Sequence, residues 1–159
     1  MKAMVVYDSV FGNTEQIAQA MGRALGAAEG SEARRVGEVD PEQLTGLDVL
    51  IVGSPTRAFR ATPATRQLLK RIPVGGLKGV KVAAFDTRFS VEEVDSAILT
   101  FMVKLFGYAA EPIARSLERK GGDLALAPEG FIVEGTEGPL REGELERAAN
   151  WARQVAAAE

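Results

Sequence analysis

Neither cysteine nor histidine occurs anywhere in the 159 residues. Without cysteine there is no disulfide, no thiolate nucleophile and no cysteine-held iron–sulfur cluster. Without histidine a Ser-His-Asp triad is excluded, and an ordinary zinc site loses its usual ligands. No apolar run approaches the ~20 residues that cross a bilayer. The first such run, Ala3–Tyr7, is too short for a signal-peptide core and lacks a small-residue cleavage site. These features read as a cytoplasmic protein without a membrane span. Positive charge is not in excess either, since 19 Lys and Arg face 22 Asp and Glu for a net charge of -3. That balance argues against nucleic acid or an anionic membrane as a partner. With so few side chains suited to hard chemistry, a borrowed cofactor is the expected source of any demanding reaction.

The remaining composition, 46% hydrophobic and 26% charged, is that of an ordinary globular chain. Its length suits one domain over 1–159, without linker, repeat or low-complexity segment. Strand and helix patterns alternate along it. Ala3–Tyr7 is continuously apolar, as expected of a strand buried on both faces. Ile17, Met21, Ala24, Leu25 and Ala28 have helical spacing. Glu32–Val36 reads as a weak edge strand and Asp48–Gly53 as a strong central one. Thr62 and Pro63 form a cap and first-turn pair for a helix lined by Leu68, Leu69 and Ile72.

Val80–Phe85 is the fourth strand, and Ser90–Glu93 a capping box that opens a helix into the 90s. Ala110, Ile113, Ala114 and Leu117 form a further stripe, closed by Gly121-Gly122. Leu124–Ala127, continued by Phe131–Val133, supplies a fifth strand. Leu145, Ala148, Ala149, Ala152, Val155 and Ala156 mark the terminal helix, with Trp151 packing at its margin. Such alternation predicts an α/β fold: a doubly wound, five-stranded parallel sheet between two helical layers. Ligands bind such sheets at the carboxyl ends of the strands, which selects the loops Asp8–Thr14, Ser54–Ala61 and Asp86–Ser90.

The first of these loops carries Ser9, Gly12, Asn13 and Thr14 between a strand and a helix. Backbone N–H groups at a helix start, close approach at Gly12 and added side-chain donors suit a phosphate, even without a cation. Neither a Gly-x-x-x-x-Gly-Lys-Ser/Thr loop nor a Gly-x-Gly-x-x-Gly loop occurs here.

In these residues the chain resembles the flavodoxins and related FMN-binding proteins of the same fold. Tyr7, Ser9, Gly12, Thr14 and Ala18 stand at the family's signature spacings. Val52–Thr56 and, more loosely, Ala83–Phe89 match its second and third flavin loops. The likeness extends to the terminal stretch that begins at Gly138, so it covers essentially the whole chain. It implies a flavodoxin-like FMN-binding domain that acts in electron transfer. By that resemblance Ser9, Val10, Phe11, Gly12, Asn13 and Thr14 wrap the phosphate. Pro55, Thr56, Arg57, Ala58 and Phe59 line one side of the isoalloxazine ring. Asp86, Thr87, Arg88 and Phe89 contact its other side and the ribityl chain.

Departures from the family pattern qualify this reading. Phe11 stands where many flavodoxins have Thr, which removes one hydroxyl. The usual Trp and Tyr around the ring are missing from the loops, leaving Phe59 and Phe89 as stacking candidates. Arg57–Ala61 lacks the Gly whose peptide reorients in many carriers, and positive φ is costly for other residues. Arg57, Arg60 and Arg88, with Arg66, Lys70 and Arg71 on the next helix, would favour reduced anionic flavin. The almost wholly apolar Ala97–Phe106 suits core, flavin cover, a quinone site or a homodimer contact.

Small size and one flavin site point to an electron carrier with a redox partner protein. The arginines, the missing Gly and the apolar segment point instead to a small FMN-dependent oxidoreductase that reduces a quinone-like acceptor. A flavodoxin-fold interaction domain without cofactor is the third alternative.

Overall fold

A computed structural model of the chain describes residues 1–26, 30–89, 97 and 107–159. Strand β1 (Ala3–Tyr7) is buried along its whole length. Its alternate side chains serve two cores, Met4 and Val6 on one face and Ala3, Val5 and Tyr7 on the other. A strand with only one covered face would alternate apolar and polar residues; this one cannot.

The sheet is parallel throughout. β1 lies between β2 (Glu32–Arg35) and β3 (Val49–Pro55), and β3 is followed by β4 (Lys81–Arg88). Beyond β4 come β5 (Asp123–Leu124) and β6 (Glu129–Ile132), both paired to it. Helices α1 (Asn13–Ala24) and α4 (Glu144–Ala157) cover one face through Ile17, Met21, Ala148 and Val155. Helices α2 (Pro63–Arg71) and α3 (Ala110–Arg119) cover the other through Leu68, Leu69, Ile113 and Leu117. The switch in direction falls between β1 and β3, where chain leaving β1 crosses one face and chain leaving β3 the other. Trp151 is buried edge-on against Phe85 and Phe131, a packing residue as expected.

Some boundaries differ from expectation. The fifth strand does not run through Leu124–Ala127, but breaks after Leu124 and resumes at Glu129. Partner residues advance from Val82 to Phe85 on β4 while the other chain advances from Leu124 to Glu129. The surplus residues form a loop ending in Pro128, which has no N–H for the ladder. Asp86 and Thr87 pair with Ser54 and Pro55 of β3 as well as with β6, and β6 carries the ladder on to Arg88, so all three are strand rather than loop. Likewise Ser54 and Pro55 belong to β3. Leu145 is exposed instead of joining the terminal stripe. Ala28, the Ser90–Glu93 capping box and the apolar segment beyond Ala97, with its dimer reading, lie outside the described residues.

Helix α2 begins as its sequence predicts. Thr62 Oγ1 accepts the Thr65 N–H at 3.4 Å and donates to Asp8 Oδ2 at 2.5 Å, tying the start of α2 to the end of β1. Removing this cap in Thr62→Ala is expected to lower stability by about 1–2 kcal/mol. Urea unfolding checks this, and an unchanged midpoint would refute it.

Candidate functional site

Three strand ends converge at the switch point. The chain leaving β1 enters α1 through Gly12, which caps the helix at φ 93°, a left-handed conformation that glycine adopts without strain. The Ser9 hydroxyl oxygen accepts the N–H groups of Gly12 (3.1 Å) and Glu15 (3.3 Å). The first bond within the helix runs from Gln16 N–H to the Gly12 carbonyl. Helical geometry therefore leaves the Asn13 and Thr14 N–H groups without a partner inside the helix. The Thr14 hydroxyl is buried and shares a 2.8 Å hydrogen bond with the Thr87 hydroxyl on β4, in which either oxygen can donate. Asn13 is fixed by donating its amide to the Glu137 carbonyl at 3.1 Å.

Behind the loop stands Arg35, at the end of β2. It donates to the Ser9 carbonyl (3.0 Å) and to Glu15 (2.6 Å), and its guanidinium lies over the Tyr7 ring. Sequence reading missed this brace, because a lone arginine on an edge strand carries no signal of what it meets in the fold.

After β3 the chain turns tightly. Arg57 and Arg60 exchange both backbone hydrogen bonds, at 2.7 and 3.0 Å. A two-residue hairpin turn of this kind needs positive φ at both central positions. Ala58 (48°) and Phe59 (68°) supply it, although neither is a glycine, the residue for which such angles cost little. The left-handed conformation costs a non-glycine residue about 1–2 kcal/mol. Ala58→Gly is therefore expected to raise stability by about 0.5–1 kcal/mol, the relieved strain exceeding the added freedom of the unfolded chain. A lowered urea midpoint would count against this account.

At the end of β4, Arg88 grips Asp86 with two bonds, Nε to Oδ1 at 2.6 Å and Nη2 to Oδ2 at 2.7 Å. The same carboxylate accepts the Ala110 N–H at the start of α3 (2.9 Å) and is fully buried. Burial raises the Asp86 pKa above the ordinary aspartate value, against the opposing pull of Arg88. The guanidinium packs 3.6 Å from the centre of the Tyr108 ring. Gly130 lies beneath it, where a Cβ would come within 2.2 Å of Arg88 Nε. Asp86 thus serves the interior, and Arg88 presents a largely neutralised group to the site.

These strand ends enclose a cavity of about 410 Å³. The first loop contributes Ser9, Val10, Phe11, Asn13 and Thr14, the second Pro55, Thr56, Arg57, Ala58 and Phe59, and the third Thr87, Arg88 and Phe89. Of the residues that the resemblance assigns to the flavin, only Gly12 and Asp86 do not line it. Tyr108, Val133 and Thr136 were not foreseen. Tyr108 precedes α3, and Thr136 lies in a hairpin that folds back as Val133 pairs with Leu140. The turn-forming run around Gly135 and Gly138 was the available signal for that hairpin. The six arginines and lysines singled out also divide. Arg57 and Arg88 border this cavity, Arg60, Arg66 and Lys70 line a separate cleft, and Arg71 faces Asp40 at 4.0 Å.

No family model matches the chain, and no curated protein sequence does either. Solved structures do match. An oxidised Flavodoxin 1 from Bacillus cereus superposes with a TM-score of 0.76 at 16% identity, over 99% of this chain and 98% of that one. A flavodoxin from the domain Archaea gives 0.75 at 21% identity, over 99% and 97% of the two chains. The chain has the flavodoxin fold. A third similar structure is the rubredoxin oxygen:oxidoreductase of Desulfovibrio gigas, with a TM-score of 0.71 at 19% identity. There the flavodoxin fold spans 98% of this chain but only 35% of the other, so the same unit also stands inside a longer protein.

The cavity's chemistry is sharply divided. Its helix end offers hydrogen-bond donors, whereas Pro55, Ala58, Phe59, Phe89, Tyr108 and Val133 give the remainder a mainly apolar wall. Its volume lies within the ~300–1,000 Å³ typical of small-molecule sites. Among the described residues no cluster of acids is placed to hold a metal. The donor set fits a flat organic ring carried on a phosphate ester.

Proposed function

We propose that the cavity binds FMN and that the chain acts in electron transfer as a flavodoxin does. One observation carries this reading: partnerless N–H donors at the start of α1 open into the same cavity as an aromatic and aliphatic wall at the ends of β3 and β4. When bound, FMN supplies reversible acceptance and donation of electrons. The residues of the chain then bind, orient and shield. Asn13 and Thr14 N–H and the Ser9 hydroxyl proton meet the phosphate, while Gly12 lets the backbone come close. Pro55, Ala58 and Phe59 bound one side of the ring space, and Thr87, Arg88, Phe89 and Tyr108 the other.

The cavity rim supports a protein partner. Val10 (51%), Phe11 (44%) and Phe89 (38%) are among the exposed large apolar residues, and all lie on this rim. An apolar patch next to a redox group is a natural contact for a redox partner protein. No helix among the described residues is long and apolar enough to cross a membrane. Titrating the protein into FMN is expected to quench flavin fluorescence with a break at one equivalent. Fluorescence that persists at excess protein would overturn the proposal.

A further inference from the structure

A larger cleft, about 680 Å³, opens between α2 and α3 on the far side of the Arg57–Arg60 turn. Its floor is apolar, with Leu69 and Ile113 almost wholly buried beneath it and Phe59 closing one end. Its rim is basic. Arg60, Arg66 and Lys70 stand on one side, Arg119 and Lys120 on the other, and among the described residues no carboxylate lines the cleft. None of the five is in an ion pair with a carboxylate among the described residues, although the chain as a whole carries a net charge of -3. Glu111 and Glu118 are on α3 but lie outside the lining.

Three of the five cations are held in place by neutral acceptors. Arg66 Nε donates to the Ala61 carbonyl at 3.2 Å, and Arg119 Nη2 to Ser116 Oγ at 3.0 Å. Lys120 Nζ reaches the Lys70 carbonyl at 3.4 Å, which joins the end of α3 to α2. Side chains fixed in this way lose less freedom when they bind a ligand. Uncompensated like charges around a concave apolar floor also focus a positive potential inside it.

We infer that this cleft is a second binding site, for an organic anion with a flat apolar body and a sulfonate-, carboxylate- or phosphate-type head. The floor takes the body, and the Arg66 and Arg119 guanidinium groups, from opposite walls, take the planar or tripodal head. The cleft's volume lies within the ~300–1,000 Å³ typical of small-molecule sites. Ala58 and Phe59 line both cavities, so the occupant rests against the turn that walls the first one.

The probe is naphthalene-2-sulfonate, followed by ¹H–¹⁵N chemical shifts, with 2-naphthalenemethanol as the neutral comparison. Saturable shifts are expected at Leu69, Ile113 and Ser116. Affinity should fall at least about tenfold for the neutral probe, and by a similar factor in the exposed double variant Arg66→Gln/Lys70→Gln. Absence of saturation at millimolar probe overturns the inference. Equal binding of the neutral probe, or equal binding by the variant, overturns it as well. The titrations are run with and without FMN. A flavin that binds while the cleft stays silent refutes this inference alone, and a cleft that responds without flavin binding leaves it standing.

Discussion

Arg88→Met is expected to destabilise the fold by about 3–5 kcal/mol, the usual cost of removing one partner from a buried ion pair. Asp86 has no exposed surface, and its two oxygens are shared between Arg88 and the Ala110 N–H. Methionine would keep much of the packing over Tyr108 and Gly130 while withdrawing the charge. A carboxylate would then remain inside with a single backbone donor. The effect has a pH signature. Burial already raises the Asp86 pKa, and Arg88 opposes that rise. Without the guanidinium the folded-state value climbs further, so the folded variant takes up a proton more readily than its unfolded chain. An acid whose folded pKa is raised contributes most to stability below its unfolded value, about 3.9, and loses that contribution as pH rises through the folded value. The deficit against the parent protein is therefore expected to be small in acid and to widen towards neutral pH. Adding Asp86→Asn should recover part of it at neutral pH, because the buried charge is gone. Denaturant unfolding across pH measures this, and a deficit independent of pH would refute the account.

The same pair shows where sequence reading reached its limit. Strand β1 was legible because burial on both faces forces an unbroken apolar run, and the start of α2 because Thr62-Pro63 is a local signal. The Ser9–Thr14 loop was legible for a similar reason, since its donors lie within a few residues of one another. The ends of β3 and β4 were not. Ser54, Asp86 and Arg88 are polar, yet Ser54 and Asp86 stay in the ladder by pairing with each other across β3 and β4, and Arg88 because β6 returns after a broken fifth strand. No local pattern at Asp86 records that arrival. Tyr108 was hidden likewise: it reaches the cavity from the entry to α3, and its partner Arg88 comes from another strand. Positive φ at Ala58 and Phe59 runs against the residues' own preference and is imposed by hairpin closure. Local chemistry thus announced the donor-bearing helix end of the cavity, while Tyr108 and Val133 at its apolar end depended on contacts between distant parts of the chain.

Riboflavin, which keeps FMN's ring and ribityl chain but lacks the phosphate, is expected to bind about 10²–10³-fold more weakly than FMN, a difference of about 3–4 kcal/mol. The helix start has a limited stock of donors to supply it. The Thr14 hydroxyl is shared with Thr87, and Phe11 offers no hydroxyl at all. What remains is the Asn13 and Thr14 N–H groups and the Ser9 hydroxyl proton, assisted by the helix dipole. Hydrogen bonds to a charged acceptor are worth about 1.5–3 kcal/mol each, so two or three of them account for the discrimination without a lysine or arginine in the loop. Fixed dipoles at short range are also screened far less by salt than separated charges on a surface. Raising ionic strength should therefore leave the preference for FMN largely intact, whereas a preference built on Arg57, which is exposed and lies over Phe11, would fade. Parallel fluorescence titrations with the two flavins at low and high salt separate these cases. Equal affinity for both flavins would show that the α1 terminus does not hold the phosphate. A preference that collapses in salt would move the anion contact from the backbone to Arg57.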